Sequence, residues 1–169
     1  MRVKQKGAVL IVSMIMLLLL TLLAVSSMKT TIMEEKVTGN YKDKNTAFQS
    51  AEAALRAGEN YLRNTATLPV FDGSNGLYQP TTSGASRWNL VDWSNSDKVV
   101  AYAPEDDDES LYGLVEQPNF IIEELLPVID PDDSSEVGVA LENKFYRVTS
   151  RAVGGTSTAV IMLQSVFKR

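Results

Sequence analysis

Carboxylates are the densest reactive side chains in this 169-residue chain, which has neither histidine nor cysteine. That removes the commonest general base, the thiolate nucleophile, the Ser/His/Asp triad and any zinc site built on imidazole or thiolate. It also removes the disulfide framework of many small exported domains. Between Lys98 and Lys144 stand thirteen Asp or Glu and no Lys or Arg. Two clusters lie there, Asp106-Asp107-Asp108-Glu109 and the set Asp130, Asp132, Asp133 and Glu136. Their oxygens suit calcium, with Asp106, Asp108, Asp130 and Asp132 as weak candidates, but neither cluster has the spaced ligands and central glycine of a calcium loop. The preferred reading is acidic, solvent-facing loops or a patch for a basic partner, with no metal and no cofactor. Paired carboxylates hydrolyse glycosides only inside a pocket, and no glycine-rich phosphate loop is present. The chain is therefore read as not an enzyme. Its net charge of -5 argues against nucleic acid as a partner.

One backbone bond also has chemical meaning, Gly7-Ala8. Arg2, Lys4 and Lys6 precede it, and Ala8 to Met28 follows with no charge, proline or glycine. About 20 such residues cross the hydrocarbon of a bilayer as a helix. Basic flanks stay in the cytoplasm, so the rest of the chain is expected to be periplasmic or extracellular in a bacterium. Three readings compete. A cleavable secretory signal has Ala24-Val25-Ser26 as a site, but its apolar core should be only about 7–15 residues. A plain signal anchor fits the length and leaves Lys6-Gly7 unexplained. A type IV prepilin leader, cut after Gly7, explains both and leaves 162 residues with a net charge of -8 once three cations are gone.

The elements that must position these features follow from pattern. No proline occurs before Pro69, so one helix from Ala8 to about Asn64 is expected, roughly 85 Å long at about 1.5 Å per residue, with its hydrophobic half projecting. Gly39-Asn40 is its weak point and a candidate bend. In its second half Ala47, Phe48, Ala51, Ala54, Leu55, Gly58, Tyr61 and Leu62 form an apolar stripe meant for a sheet, while Lys44, Glu52, Arg56, Glu59 and Arg63 stay wet. Glu34-Glu35 is read as a solvated helix face. Thr65 to Ser96 is loop, rich in Gly, Pro, Ser and Thr, with Leu68–Phe71 and Trp88–Trp93 as buried anchors. Lys98–Ala103 and Asn119–Val128 have strand composition. Phe145–Val153 and Thr156–Phe167 are expected to form a hairpin turning at Gly154-Gly155 through positive φ, with Tyr146, Val148 and Ala152 buried and Arg147, Thr149 and Arg151 wet. The last strand is apolar on both faces, which places it at the centre of the sheet. The expected fold class is α+β, a type IV pilin-like long helix on a mostly antiparallel sheet. Its parts are a leader at 1–7, a transmembrane or filament-core helix at 8–28, an amphipathic helix at 29–64, and one globular domain built from 44–64 with 65–169.

The stretch Lys29 to Leu62 resembles the N-terminal signature of the PilX family of minor pilins. The residues that carry the likeness are Thr31, Glu34, Glu35, Gly39, Asn40, Asp43, Ala47, Gln49, Ala51, Glu52, Ala53, Leu55 and Arg56. A second patch, YRVTSRAVGGTSTAVIMLQSVFKR, is similar to that family's closing strands. The resemblance implies cleavage after Gly7 by prepilin peptidase, methylation of the Ala8 amine, and residence in the inner membrane before assembly. It further implies a structural role at the pilus tip on the cell surface, with minor-pilin partners of the PilV, PilW, PilE and FimU type and a large PilY-type adhesin.

One position departs from the general pilin pattern. The fifth residue after the cleaved bond is usually glutamate and is thought to pair with the N-terminal amine of the subunit docked above; here it is Val12. An amine at a helix N-terminus adds to the positive end of the dipole and is costly in an apolar bundle without a counter-charge. A subunit with Val12 receives that carboxylate at Ala8 but offers none upward, which suits the first-placed position. The alternatives are a type II secretion minor pseudopilin and a Sec-exported, membrane-anchored binding domain with no filament role.

Overall fold

The computed structural model describes residues 8–81, 84–103, 111–126 and 144–169. The chain divides into two compact units, Met1–Lys42 and Asp43–Arg169. Helix α1, Ala8–Asn64, supplies all the described structure of the first and opens the second. It stays helical through Gly39-Asn40, so the single helix expected from Ala8 to Asn64 forms. Every described residue of the first unit is exposed, including the run of Val, Leu, Ile and Met from Val9 to Met28. Hydroxyls in its apolar run bond back into the helix: Ser13 donates to the Leu10 carbonyl and Thr21 to that of Leu18, each at 2.8 Å. Polar groups so satisfied are tolerable in an apolar medium.

In the second unit, residues 43–64 of α1 lie on a five-stranded mixed sheet. Its strands are β1 (Leu77–Tyr78), β2 (Val100–Ala101), β3 (Asn119–Glu124), β4 (Phe145–Val153) and β5 (Val160–Lys168), in the order β1-β3-β4-β5 with β2 also paired to β3. Among the described residues only the short β1–β3 contact is parallel. A one-turn helix α2, Arg87–Leu90, interrupts the region expected to be loop. The core joins Ala54 and Leu62 of the helix to Phe120, Ile122, Tyr146 and Val148 of the sheet, closed by Phe71 and Leu77. Small residues let the helix sit close. A Cβ on Gly58 would lie 2.5 Å from Val148 Cγ1 and 3.0 Å from Phe120 Cδ2.

Several expectations need correction. Phe48 is 44% exposed, outside the stripe that Ala47, Ala51, Ala54 and Leu62 bury completely. The strand expected over Lys98–Ala103 pairs only at Val100–Ala101, and the next ends at Glu124. Pro127 and Val128 lie outside the described residues. Thr149 is buried rather than wet, because a loop covers part of that sheet face and Gln164 Nε2 donates to its hydroxyl at 2.9 Å. Trp93 anchors that loop by packing with Val91 on Tyr78, Val99 and Ile121. Trp88 is 38% exposed and offers its carbonyl to the Trp93 indole N–H. The last strand is not central: among the described residues β5 pairs with β4 alone. Finally, β4 and β5 are joined by six residues, 154–159, and neither Gly154 nor Gly155 takes positive φ.

Candidate functional site

Those two glycines have a different task, and it ties the helix to the β4–β5 loop. Asp43, the first residue of the second unit, accepts from the Gly155 N–H at Oδ1 (2.6 Å) and from the Thr156 N–H at 3.3 Å. The Thr156 hydroxyl donates to Asp43 Oδ2. The carboxylate thus gathers three donors from a loop more than a hundred positions away. A Cβ on Gly154 would lie 2.8 Å from the Asp43 carbonyl oxygen and 3.1 Å from Ala159 Cβ, so the loop reaches the helix only because residue 154 has none. The Thr156 hydroxyl, with help from the two amides and against some desolvation, holds the Asp43 carboxyl below its ordinary 3.8. Asp43 and the Gly-Gly-Thr run stand in the two separate sequence patches that carry the resemblance. Sequence reasoning missed their meeting, since a glycine pair between strands has the same signature as a tight turn.

At the N-terminal end of α1, Ala8 is the first described residue and Gly7 lies outside the described residues. Val12 is 55% exposed among other exposed aliphatics. No ionisable side chain occurs from Ala8 to Met28, so the surface of this stretch offers only packing contacts and backbone dipole. The helix passes the length and composition test for crossing a membrane.

Several ionisable groups elsewhere are occupied with structure. Glu123 is 2% exposed on β3 and accepts from the Thr81 N–H and hydroxyl, each at 3.1 Å, and from Arg147 Nη1 at 3.2 Å. An open groove of about 690 Å³ lies beside Tyr78, whose ring Arg87 covers at 5.0 Å. Asp72 and Asp92 line it, and each accepts from the hydroxyl and N–H of the serine two residues on. Those serine hydroxyls hold both carboxyls below the usual range, which leaves them ionised at neutral pH and unsuited to donate a proton. Asp106, Asp108, Asp130 and Asp132 lie outside the described residues. Among the described residues no group of three or more Asp or Glu is placed to hold a metal ion.

A long N-terminal apolar helix continued onto a mixed, mainly antiparallel sheet defines a pilin-like α+β protein. Comparison with known families narrows this further. The family description "PilX N-terminal" matches residues 6–56, and "Type IV pilus assembly protein PilX C-term" matches 65–169. The chain belongs to the PilX family of type IV pilus minor pilins. No curated protein and no solved structure matched it. Membership makes it a structural component of pilus assembly, working with other pilins, and its single apolar helix is compatible with a membrane anchor.

Proposed function

We propose that this protein is a minor pilin that primes pilus assembly and sits at or near the filament tip. The observation that carries the reading is the charge-free run from Ala8 to Met28, with Val12 where pilins usually have glutamate. Prepilin peptidase cuts after Gly7 and methylates the Ala8 amine. Arg2, Lys4 and Lys6 hold the uncut N-terminus in the cytoplasm, and the second unit folds in the periplasm. During assembly the Ala8 amine, at the positive end of the helix dipole, takes the carboxylate of the next subunit, whereas Val12 gives nothing to a subunit above. Partners on this reading are minor pilins of the PilV, PilW, PilE and FimU type and a PilY-type adhesin. The subunit performs no catalytic step, and a separate ATPase supplies the work of extraction. A match to a pilus-assembly family supports the pilus over a secretion pseudopilus.

The mass of the mature N-terminus is the first test. A start at methylated Ala8 is expected, and a start near Ser27 or at Met1 overturns the prepilin reading. Val12→Glu is expected to alter pilus number or subunit order, counted by electron microscopy of sheared fibres. Unchanged fibres, or fibres lacking the native chain, overturn the placement.

A further inference from the structure

The outer edge of β5 is open among the described residues, since Val160–Lys168 pairs with β4 and no other strand. Backbone bonds beyond the strand ends settle which groups face outward. Lys144 and Arg169 exchange both N–H to O bonds, at 3.3 and 2.9 Å, and the Gly154 N–H meets the Ala159 carbonyl at 2.8 Å. Antiparallel pairs alternate, so the bonded partners are Tyr146 with Phe167, Val148 with Ser165, Ser150 with Leu163 and Ala152 with Ile161. Met162, Gln164 and Val166 therefore direct N–H and C=O away from β4. Exposed edges are ordinarily guarded by proline, charge or a bulge. Val160 to Phe167 has no proline and no charge, and its register with β4 runs without interruption. Val160 and Val166 are 43% and 61% exposed.

Charge says what kind of chain fits. From Lys144 to Arg169 there are five Lys or Arg and no Asp or Glu. Lys144, Arg147 and Arg151 have partners in Glu124, Glu123 and Glu116. Lys168 lies 5.9 Å from the centre of the Phe145 ring, and Arg169 donates to the carbonyls of Thr65 and Ala66. Neither has a carboxylate partner among the described residues. A second β5 brings the same cations and no acid, so it adds charge instead of neutralising it.

We infer that β5 is a docking strand that receives an extended, aliphatic segment of another polypeptide, bearing carboxylates beside Lys168 and Arg169. Pairing through Met162, Gln164 and Val166 supplies affinity and the basic end sets direction. The inference stands apart from the tip placement, because any chain presenting that segment suffices.

A photo-reactive side chain installed at Gln164 of the full chain, irradiated in its native cells, tests it. The expected adduct joins an extended segment of another protein that contains Asp or Glu, identified by mass spectrometry of the joined peptide. Val166→Asp is expected to lower its yield about fivefold relative to Val166→Lys, since like charges on neighbouring strands repel. Met162→Pro removes an outward N–H, spares the β4 bonds and is expected to abolish the adduct. An adduct only with a second copy, or only with the chain's own residues 127–143, overturns the inference. So do equal yields for the Asp and Lys variants, or no adduct at all.

Discussion

Asp43 shows how one side chain sets a tertiary contact. Its carboxylate is stabilised by the Thr156 hydroxyl and the amides of Gly155 and Thr156 in the folded state alone. A carboxyl whose folded value lies below its unfolded one binds fewer protons when folded, so it adds stability above the unfolded value, near 3.8. That contribution is lost as pH falls through the lowered folded value. Asp43→Asn is accordingly expected to melt below wild type at pH 7, with the gap closing toward pH 2 in parallel thermal melts. Arg147 and Arg151 make a second pair of contrasts on one strand. Arg147 neutralises a nearly enclosed Glu123, whereas Arg151 meets a Glu116 side chain that is 52% exposed. Removing the partner of a buried charge costs about 3–5 kcal/mol and breaking an exposed pair about 0–1. Arg147 is itself about a third exposed, so its loss belongs at the low end of that range. Denaturant titration should rank Arg147→Ala well below Arg151→Ala.

At the level of elements, α1 obeys different rules in its two parts. Up to Lys42 its described residues are exposed, so propensity and solvent weigh most on them. A Cβ at Gly39 has nothing within 4 Å. Gly39→Ala should stabilise the helix by about 1 kcal/mol, read as slower amide exchange from residues 35 to 43. Gly58→Ala gains the same propensity and meets Val148 at 2.5 Å. Overpacking costs about 1–3 kcal/mol, so the net effect expected is a lower melting temperature. Opposite signs for one chemical change on one helix distinguish close packing from intrinsic preference. The sheet has a similar asymmetry: β3 and β4 carry the core, while β5 gives one edge to β4 and, among the described residues, leaves the other open.

For the whole molecule, the exposed aliphatics of the first unit make sense only if they are covered by lipid or by other helices. Neither a hydrophilic helix nor a soluble monomer would keep 21 uncharged residues from Ala8 to Met28. Detergent removal is therefore expected to precipitate the full chain, while extraction from membranes should require detergent and not high salt; fractionation with each checks this. Failure of the chain to partition with membranes would remove the basis for a pilin role.

The membrane-length helix was legible from residues 8–28 because composition is local, whereas the pilin-like class and the family were legible as a resemblance carried by Lys29–Leu62 together with the C-terminal patch. One uncharged run needs no partner to declare itself, and the alanines at 47, 51 and 54 mark a buried stripe whatever lies against them. The acid-rich stretches said less, since carboxylate density alone does not distinguish solvated loops from ligands. Tertiary structure decided the rest. Only the fold shows that Gly154 makes room for Asp43 instead of turning a hairpin, because a close approach and a tight turn ask for the same residue. Likewise, two apolar faces mark a central strand and an unoccupied edge equally well, and strand order alone separates them. Local physics determines which elements form; which of them meet depends on contacts between residues distant in sequence, over a hundred positions apart for Asp43 and Gly155, and no short pattern records those.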